Sequence, residues 1–212
     1  MNKADASIVG NPQAYPTHGR FKGGGANYLQ TNISESEEQT LIVVGRAVNP
    51  IPSDASTTGD ESTPFYVGTY IGKSATPGVV GTSYGANLYH VATASLTGGA
   101  SRNNGSGGAT SALLSVSDVP TDWGIRVMRV SSSMPLKVQN ITRNTSNQNA
   151  DVRPRVLTDT LFRIGSPSNS ASFGAEVDIS FVAIHSVVLT DAELSKQVEI
   201  IRKRMARLGI LV

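Results

Sequence analysis

The sequence predicts an all-β fold: a two-sheet antiparallel sandwich that ends in one amphipathic helix, expected over residues 190–208. Three observations predict it. Charged residues make up only 16% of the chain while glycine numbers 21, and with abundant Ser, Thr and Asn this suits a chain of many turns. Short β-branched and aromatic runs recur, separated by Gly, Pro, Asn and Asp clusters. The clear helical period in the apolar residues comes only at the end. At 212 residues the chain is long enough for one substantial domain with a well-buried core.

Residues 1–20 lack periodicity and read as an N-terminal arm. Residues 21–212 read as a single domain. Within it, "GRFKGGGANYLQTN" gives a glycine-dense turn and a short strand. "QTLIVVGRAV" is a nearly unbroken β-branched run, expected as a central strand buried on both faces. Pro50, Pro52 and Pro64 confine "NPIPSDASTTGDESTP" to a loop. "FYVGTYIG" and "ANLYHVATAS" follow as strands. "LTGGASRNNGSGGATS" is the richest in Gly and Ser, and with no composition shift across it, it reads as a long surface loop within one domain. "ALLSV", "WGIRVMRVS", "LKVQNIT", "TLFRIG" and "AEVDISFVAIHS" complete the strands.

The helix is marked at both ends. Thr190 and Glu193 form a capping box, and Leu189 and Leu194 stand at the positions of a hydrophobic staple. Leu194, Val198, Ile201, Met205 and Leu208 recur at helical spacing, and Gly209 ends the run. A lone helix on a β domain must bury that stripe, so core contact is its expected role.

Several function classes are set aside. The net charge of +2 is no nucleic-acid footprint, and the basic excess of the last helix reads as a solvated face. Without cysteine there are neither disulfides nor thiolate metal sites. The first residues have no apolar core of signal-peptide length, and no run reaches the ~20 apolar residues of a membrane span. Synthesis as a soluble cytoplasmic product, with no membrane insertion, is the expectation. "GTYIGKS" leaves three residues between Gly68 and Gly72 where a phosphate-binding loop needs four, and no helix follows. His18, His90 and His185 are far apart and show no metal-ligand spacing, calcium loops of the Asp-x-Asp type are missing, and Asp60 and Glu61 in "TTGDEST" are at most a weak oxygen-ligand candidate. No cofactor and no metal are expected.

The opening "GRFKGGGANYLQTNISESEEQTLIVVGRAV" and the closing "FRIGSPSNSASFGAEVDISFVAIHSVVLTDAELSKQVEIIRKRMARLGILV" resemble the two ends of concanavalin A-like (laminin-G-like) lectin and glucanase domains. The closing Arg-Leu-Gly-Ile looks like versions encoded among bacteriophage virion genes. The resemblance covers about half of the chain. It implies a jelly-roll sandwich in a carbohydrate-binding or virion protein. Partners would be other virion proteins, cell-surface glycans or both, with homo-oligomers compatible, and localisation would be the virion after synthesis in the host cytoplasm.

Glucanases of this type carry their carboxylates in a strand like "GAEVDISFVAIHS". Glu176 would then be the nucleophile, with Asp178 on the same strand face. The acid/base would fall at Ser180 or Phe181, neither of which can donate as a carboxylic acid does. The strand is therefore read as structural and the protein as no enzyme, with no catalytic residue. Val177, Ile179 and Phe181 are expected on its core face. For sugar binding, aromatic faces to stack on a pyranose and polar partners are needed. The candidates are Tyr66, Tyr70, Tyr84, Tyr89 and Trp123, with Asn87, Asn103 and Asn104. Two alternatives stay open: a purely structural virion component, and a glycoside hydrolase with its acid/base recruited from elsewhere.

Overall fold

A computed structural model describes residues 6–92, 95–168 and 172–212. The early strands are β1 (Ala6–Val9), β2 (Gln13–Ala14), β3 (Gly19–Lys22), β4 (Tyr28–Ser34), β5 (Gln39–Ala47) and β6 (Phe65–Gly68). Then come β7 (Gly72–Lys73), β8 (Thr82–Ser83), β9 (Asn87–Val91), β10 (Ser95–Asn103), β11 (Ala109–Ser117) and β12 (Gly124–Val130). The last are β13 (Lys137–Asn140), β14 (Thr145–Gln148), β15 (Arg155–Val156), β16 (Leu161–Ile164) and β17 (Glu176–His185), followed by helix α1 (Asp191–Arg207).

The strands build two antiparallel sheets. The first runs β1-β4-β16-β6-β9-β10-β11, with β15 also paired to β10, and the second runs β14-β13-β12-β5-β17-β3-β2. A two-residue ladder joins β7 to β8. The all-β sandwich with a C-terminal helix is the fold the composition and spacing predict.

Strand β5 explains why there are three layers. Leu41 and Val43 point into the core between the sheets, beside Leu88, Leu96, Met128, Val130 and Phe162. Ile42 and Val44 point the other way, joining Ile125 and Val127 under Leu194, Val198, Ile201 and Met205 of α1. A strand covered on both faces needs apolar residues at every position, not every second one. The helix starts as its sequence dictates: the Glu193 amide donates to Thr190 Oγ1 (3.2 Å), and the Thr190 amide donates to Glu193 Oε2 (2.9 Å). It ends where Gly209 takes φ +71° and the Ile210 amide returns to the Met205 carbonyl (3.0 Å).

Three expectations are corrected. Residues 6–20 are not a free arm: β1 pairs with β4, and β2 pairs with β3, which pairs in turn with β17. Short strands at sheet edges carry too few residues for a visible period. The first five residues lie outside the described ones, as do residues 93–94 of the "ANLYHVATAS" strand. The Gly/Ser-rich stretch is no loop but the hairpin of β10 and β11, in unbroken register from Ser95↔Ser117 to Asn103↔Ala109. Its period-2 apolar set, Leu96, Ala100, Leu114 and Val116, meets the core, and tertiary burial overrides the loop-like composition. Finally, Phe181 does not share the face of Val177 and Ile179. The β17–β5 register shifts between Ile179 and Phe181. One extra residue reverses every later side chain, so Phe181 and Ala183 meet the helix while Val182 and Ile184 face the inter-sheet core.

Candidate functional site

Register brings the site together on the outer face of the first sheet. Asn87 of β9, Gly99 of β10 and Leu113 of β11 are directly paired and form one row across three strands. Gly99 has no side chain to fill the middle of that row. A Cβ built there would stand 2.8 Å from Leu113 Cδ2 and 2.9 Å from Asn87 Oδ1, so the ends of those two side chains close over the glycine, an approach that only a residue without a Cβ allows. Beside the Asn87 and Leu113 ends of this row, Thr58, Tyr70, Tyr84, Asn87, Tyr89, Ser111 and Leu113 enclose a cavity of about 220 Å³.

Strand alternation aims Asn87 and Tyr89 outward together. Tyr84 is fixed just before β9, where its amide donates to Ser101 Oγ (2.8 Å) and its carbonyl accepts from the Ser101 amide (2.7 Å). Tyr70 follows β6 and meets Tyr84 edge-on at 5.7 Å and Tyr89 at 6.2 Å between ring centroids. Phe173 supports both from behind, 4.9 Å from Tyr70 and 4.7 Å from Tyr89. The Tyr70 hydroxyl reaches the Thr58 carbonyl at 3.5 Å. Burial raises the pKa of both Tyr70 and Tyr89, so these phenols stay neutral.

Asn87 is almost wholly buried. Its amide nitrogen donates to the Gly85 carbonyl at 2.6 Å, which fixes the orientation of the group. Its Oδ1 has no hydrogen-bond partner. A buried acceptor left open costs ~1–3 kcal/mol. It lies beside Leu113, which is 47% exposed.

Of the eight sequence-predicted site residues, Tyr70, Tyr84, Asn87 and Tyr89 thus converge here. The other four lie elsewhere. Tyr66 is fully buried on the inner side, where its hydroxyl meets His90 Nδ1 at 2.9 Å. Asn103 and Asn104 build the hairpin turn: Asn103 Oδ1 accepts from the Gly105 amide, and Asn104 Oδ1 from those of Ser106 and Gly108. Trp123 belongs to the second sheet's side, half-buried, with the Arg46 guanidinium 5.0 Å from its ring centroid. Sequence reasoning missed Thr58, Gly99, Ser111 and Leu113. The Gly98-Gly99 pair was the available signal, since glycine inside a strand marks a close approach or a ligand.

Two further clusters have their polar groups already engaged. In the core end, His90 Nε2 meets Asp118 Oδ2 at 2.9 Å, and Arg126 Nε donates to the same oxygen at 2.6 Å. Asn140 and the Val119 amide donate to Asp118 Oδ1, both at 2.6 Å. A larger cleft of about 630 Å³ opens on the second sheet between Arg46, Trp123, Asn140, Arg143 and Leu211. Arg143 there is paired with Asp122 (2.9 Å) and Arg46 with Asp178 (3.1 Å).

Asp178 is fully buried and also takes two bonds from Arg20, at 2.8 and 3.1 Å. Burial works to raise its pKa, but the hydrogen bonds from Arg20 and Arg46 outweigh it, and the carboxyl lies below the usual range. Such a group stays ionised and is a poor proton donor. Ser180, at the position an acid/base would occupy, donates to the Thr17 carbonyl at 2.7 Å. Asp60, the weak oxygen-ligand candidate, binds its own loop through Ser56 and Ser62.

Solved structures of similar shape include binding domains of botulinum neurotoxins. The chain aligns over 92% of its length with the binding domain of botulinum neurotoxin DC in complex with SialylT, at TM-score 0.60 and 11% identity, covering 46% of that chain. With the receptor binding domain of botulinum neurotoxin D the figures are 94%, 0.58, 13% and 48%. With the botulinum neurotoxin DC binding domain in complex with rat synaptotagmin II they are 92%, 0.58, 10% and 46%. The chain therefore spans about half the length of the solved chains it matches. At such identities the likeness shows the fold alone. No family model and no curated protein matches the sequence.

Proposed function

We propose that this chain is a non-enzymatic binding module that holds a carbohydrate ring in the tyrosine pocket of its first sheet. The observation that carries the reading is the cavity walled by Tyr70, Tyr84 and Tyr89, with the buried, unpartnered Asn87 oxygen beside it. Aromatic faces take the apolar side of a pyranose, and a few placed polar groups fix its hydroxyls. The cavity of about 220 Å³ is below the ~300–1,000 Å³ of sites for drug-sized ligands, which suits one ring inserted from a larger glycan. Further support comes from neighbours of the same fold, one of them in complex with SialylT.

The non-catalytic reading is supported by Asp178, which two arginines hold ionised. The setting we propose is a bacteriophage virion, where the module would serve as an adhesion or structural component. That setting rests on the sequence resemblance at the two ends of the chain. A glycan array probed with the full chain tests the binding role. The expected result is retention on a defined subset of glycans that is lost in Tyr84→Ala. Retention on none would leave assembly with other virion subunits as the better reading.

A further inference from the structure

We infer that the pocket selects an uncharged sugar ring that presents a hydroxyl or amide hydrogen to Asn87, and that it rejects acidic sugars. This rests on the carbohydrate reading above and specifies its ligand class. The Asn87 nitrogen is committed to the Gly85 carbonyl, so the side chain offers the pocket only its oxygen, an acceptor. A ligand group that meets this oxygen must therefore donate. A hydroxyl or an acetamido N–H does so and a carboxylate cannot, so an acidic sugar must turn another of its groups to this oxygen and leave its charge against the walls.

Nothing in the walls compensates an acid. The described lining residues are Tyr, Asn, Ser, Thr and Leu, with no Lys, Arg or His among them. An unpaired carboxylate brought into such surroundings loses hydration without gaining a cation. The arginines of the larger cleft lie on the second sheet, with Arg46 on Asp178 and Arg143 on Asp122. Leu113 sets the entry: it shares the point above Gly99 with the Asn87 oxygen, and its exposure leaves it free to change rotamer and uncover that oxygen.

The test titrates the full chain by calorimetry with two sets of methyl glycosides. Galactose, mannose and N-acetylglucosamine form the uncharged set; glucuronic acid and N-acetylneuraminic acid form the acidic set. At least one uncharged glycoside should bind about tenfold tighter, or more, than either acid. Gly99→Ala, whose methyl presses on Leu113 Cδ2 and displaces the Asn87 oxygen, should abolish that binding, and Tyr84→Ala should weaken it if Gly99→Ala fails to fold. Acids binding as well as the uncharged sugars would overturn the selectivity while leaving sugar binding intact. Binding that survives both substitutions would place the ligand elsewhere and overturn the inference. If no glycoside of either set binds, the carbohydrate reading falls, and the inference with it.

Discussion

Strand β9 carries two kinds of buried polar side chain on its opposite faces. Inward, both ring nitrogens of His90 are engaged, by Tyr66 and by Asp118. Asp118 in turn accepts from Arg126, Asn140 and the Val119 amide. Outward, three residues earlier, Asn87 spends its nitrogen on Gly85 and leaves its oxygen open. Both residues are buried, so burial alone does not separate structure from function. Completeness does. A closed polar network specifies the packing of its surroundings, while an open one retains a demand that a ligand can meet.

The sharpest way to break this comparison is to remove the hub of the closed network. Asp118→Ala takes the carboxylate away from the Arg126 guanidinium, fully buried against Tyr66, and leaves His90 Nε2 and the Asn140 amide nitrogen without the acceptor they share. Breaking a buried pair by deleting one member costs ~3–5 kcal/mol. Denaturant unfolding should show a loss of that size, and a loss below about 1 kcal/mol would mean that the network contributes no more than an exposed pair.

The network also carries a pH signature. Burial pushes the His90 imidazole down to about 4; the Asp118 hydrogen bond opposes this and the Arg126 charge adds to it. In the unfolded chain it titrates near its ordinary 6.5. As pH falls below that value the unfolded state takes up the proton first, so stability drains away between about 6.5 and 4. The loss is about 3 kcal/mol for this one group. His18 and His185 are also lowered, chiefly by burial, and act in the same sense. Asp118 is itself depressed, so its contribution holds above its unfolded value of 3.8 and is lost only at lower pH. Melting temperatures across this range should therefore fall steadily, and His90→Gln should flatten the slope without abolishing it. An unchanged slope would show that His90 is not the group responsible.

How much of this was legible beforehand follows from the range of the interactions. The helix was readable because its cap, stripe and stop are local: Thr190, Glu193 and Gly209 act within a few residues. The doubly covered β5 was readable because composition alone reports burial on both faces. The tyrosine pocket was half readable. Aromatic and amide residues could be named, but the Asn87–Gly99–Leu113 row is fixed by pairing of β9, β10 and β11, which no single segment encodes. The bulge after Ile179 was hidden for the same reason, since it exists only in the register of β17 against β5.

An exposed but satisfied interaction should lie between the two faces of β9 in cost. Thr190→Ala removes the side-chain acceptor for the Glu193 amide, and water replaces it. The expected loss is about 1 kcal/mol, within the ~0.5–2 typical of an N-cap. A loss as large as that of Asp118→Ala would mean that the helix controls the packing of the sheet beneath it.

The smallest effect is expected at Asn87, where it sharpens the comparison most. Asn87→Ala deletes one hydrogen bond, to Gly85, whose net contribution is ~0.5–1.5 kcal/mol. It also deletes the open Oδ1, an unsatisfied acceptor that costs the folded state ~1–3 kcal/mol. The two terms oppose each other, so stability should change by less than about 1 kcal/mol, in either direction. The same substitution removes the acceptor on which the proposed sugar selection rests, so binding of an uncharged glycoside should weaken even though the fold is intact. If Asn87→Ala instead destabilises the protein as Asp118→Ala does, the open oxygen is part of the scaffold, and the distinction between the two faces of β9 fails.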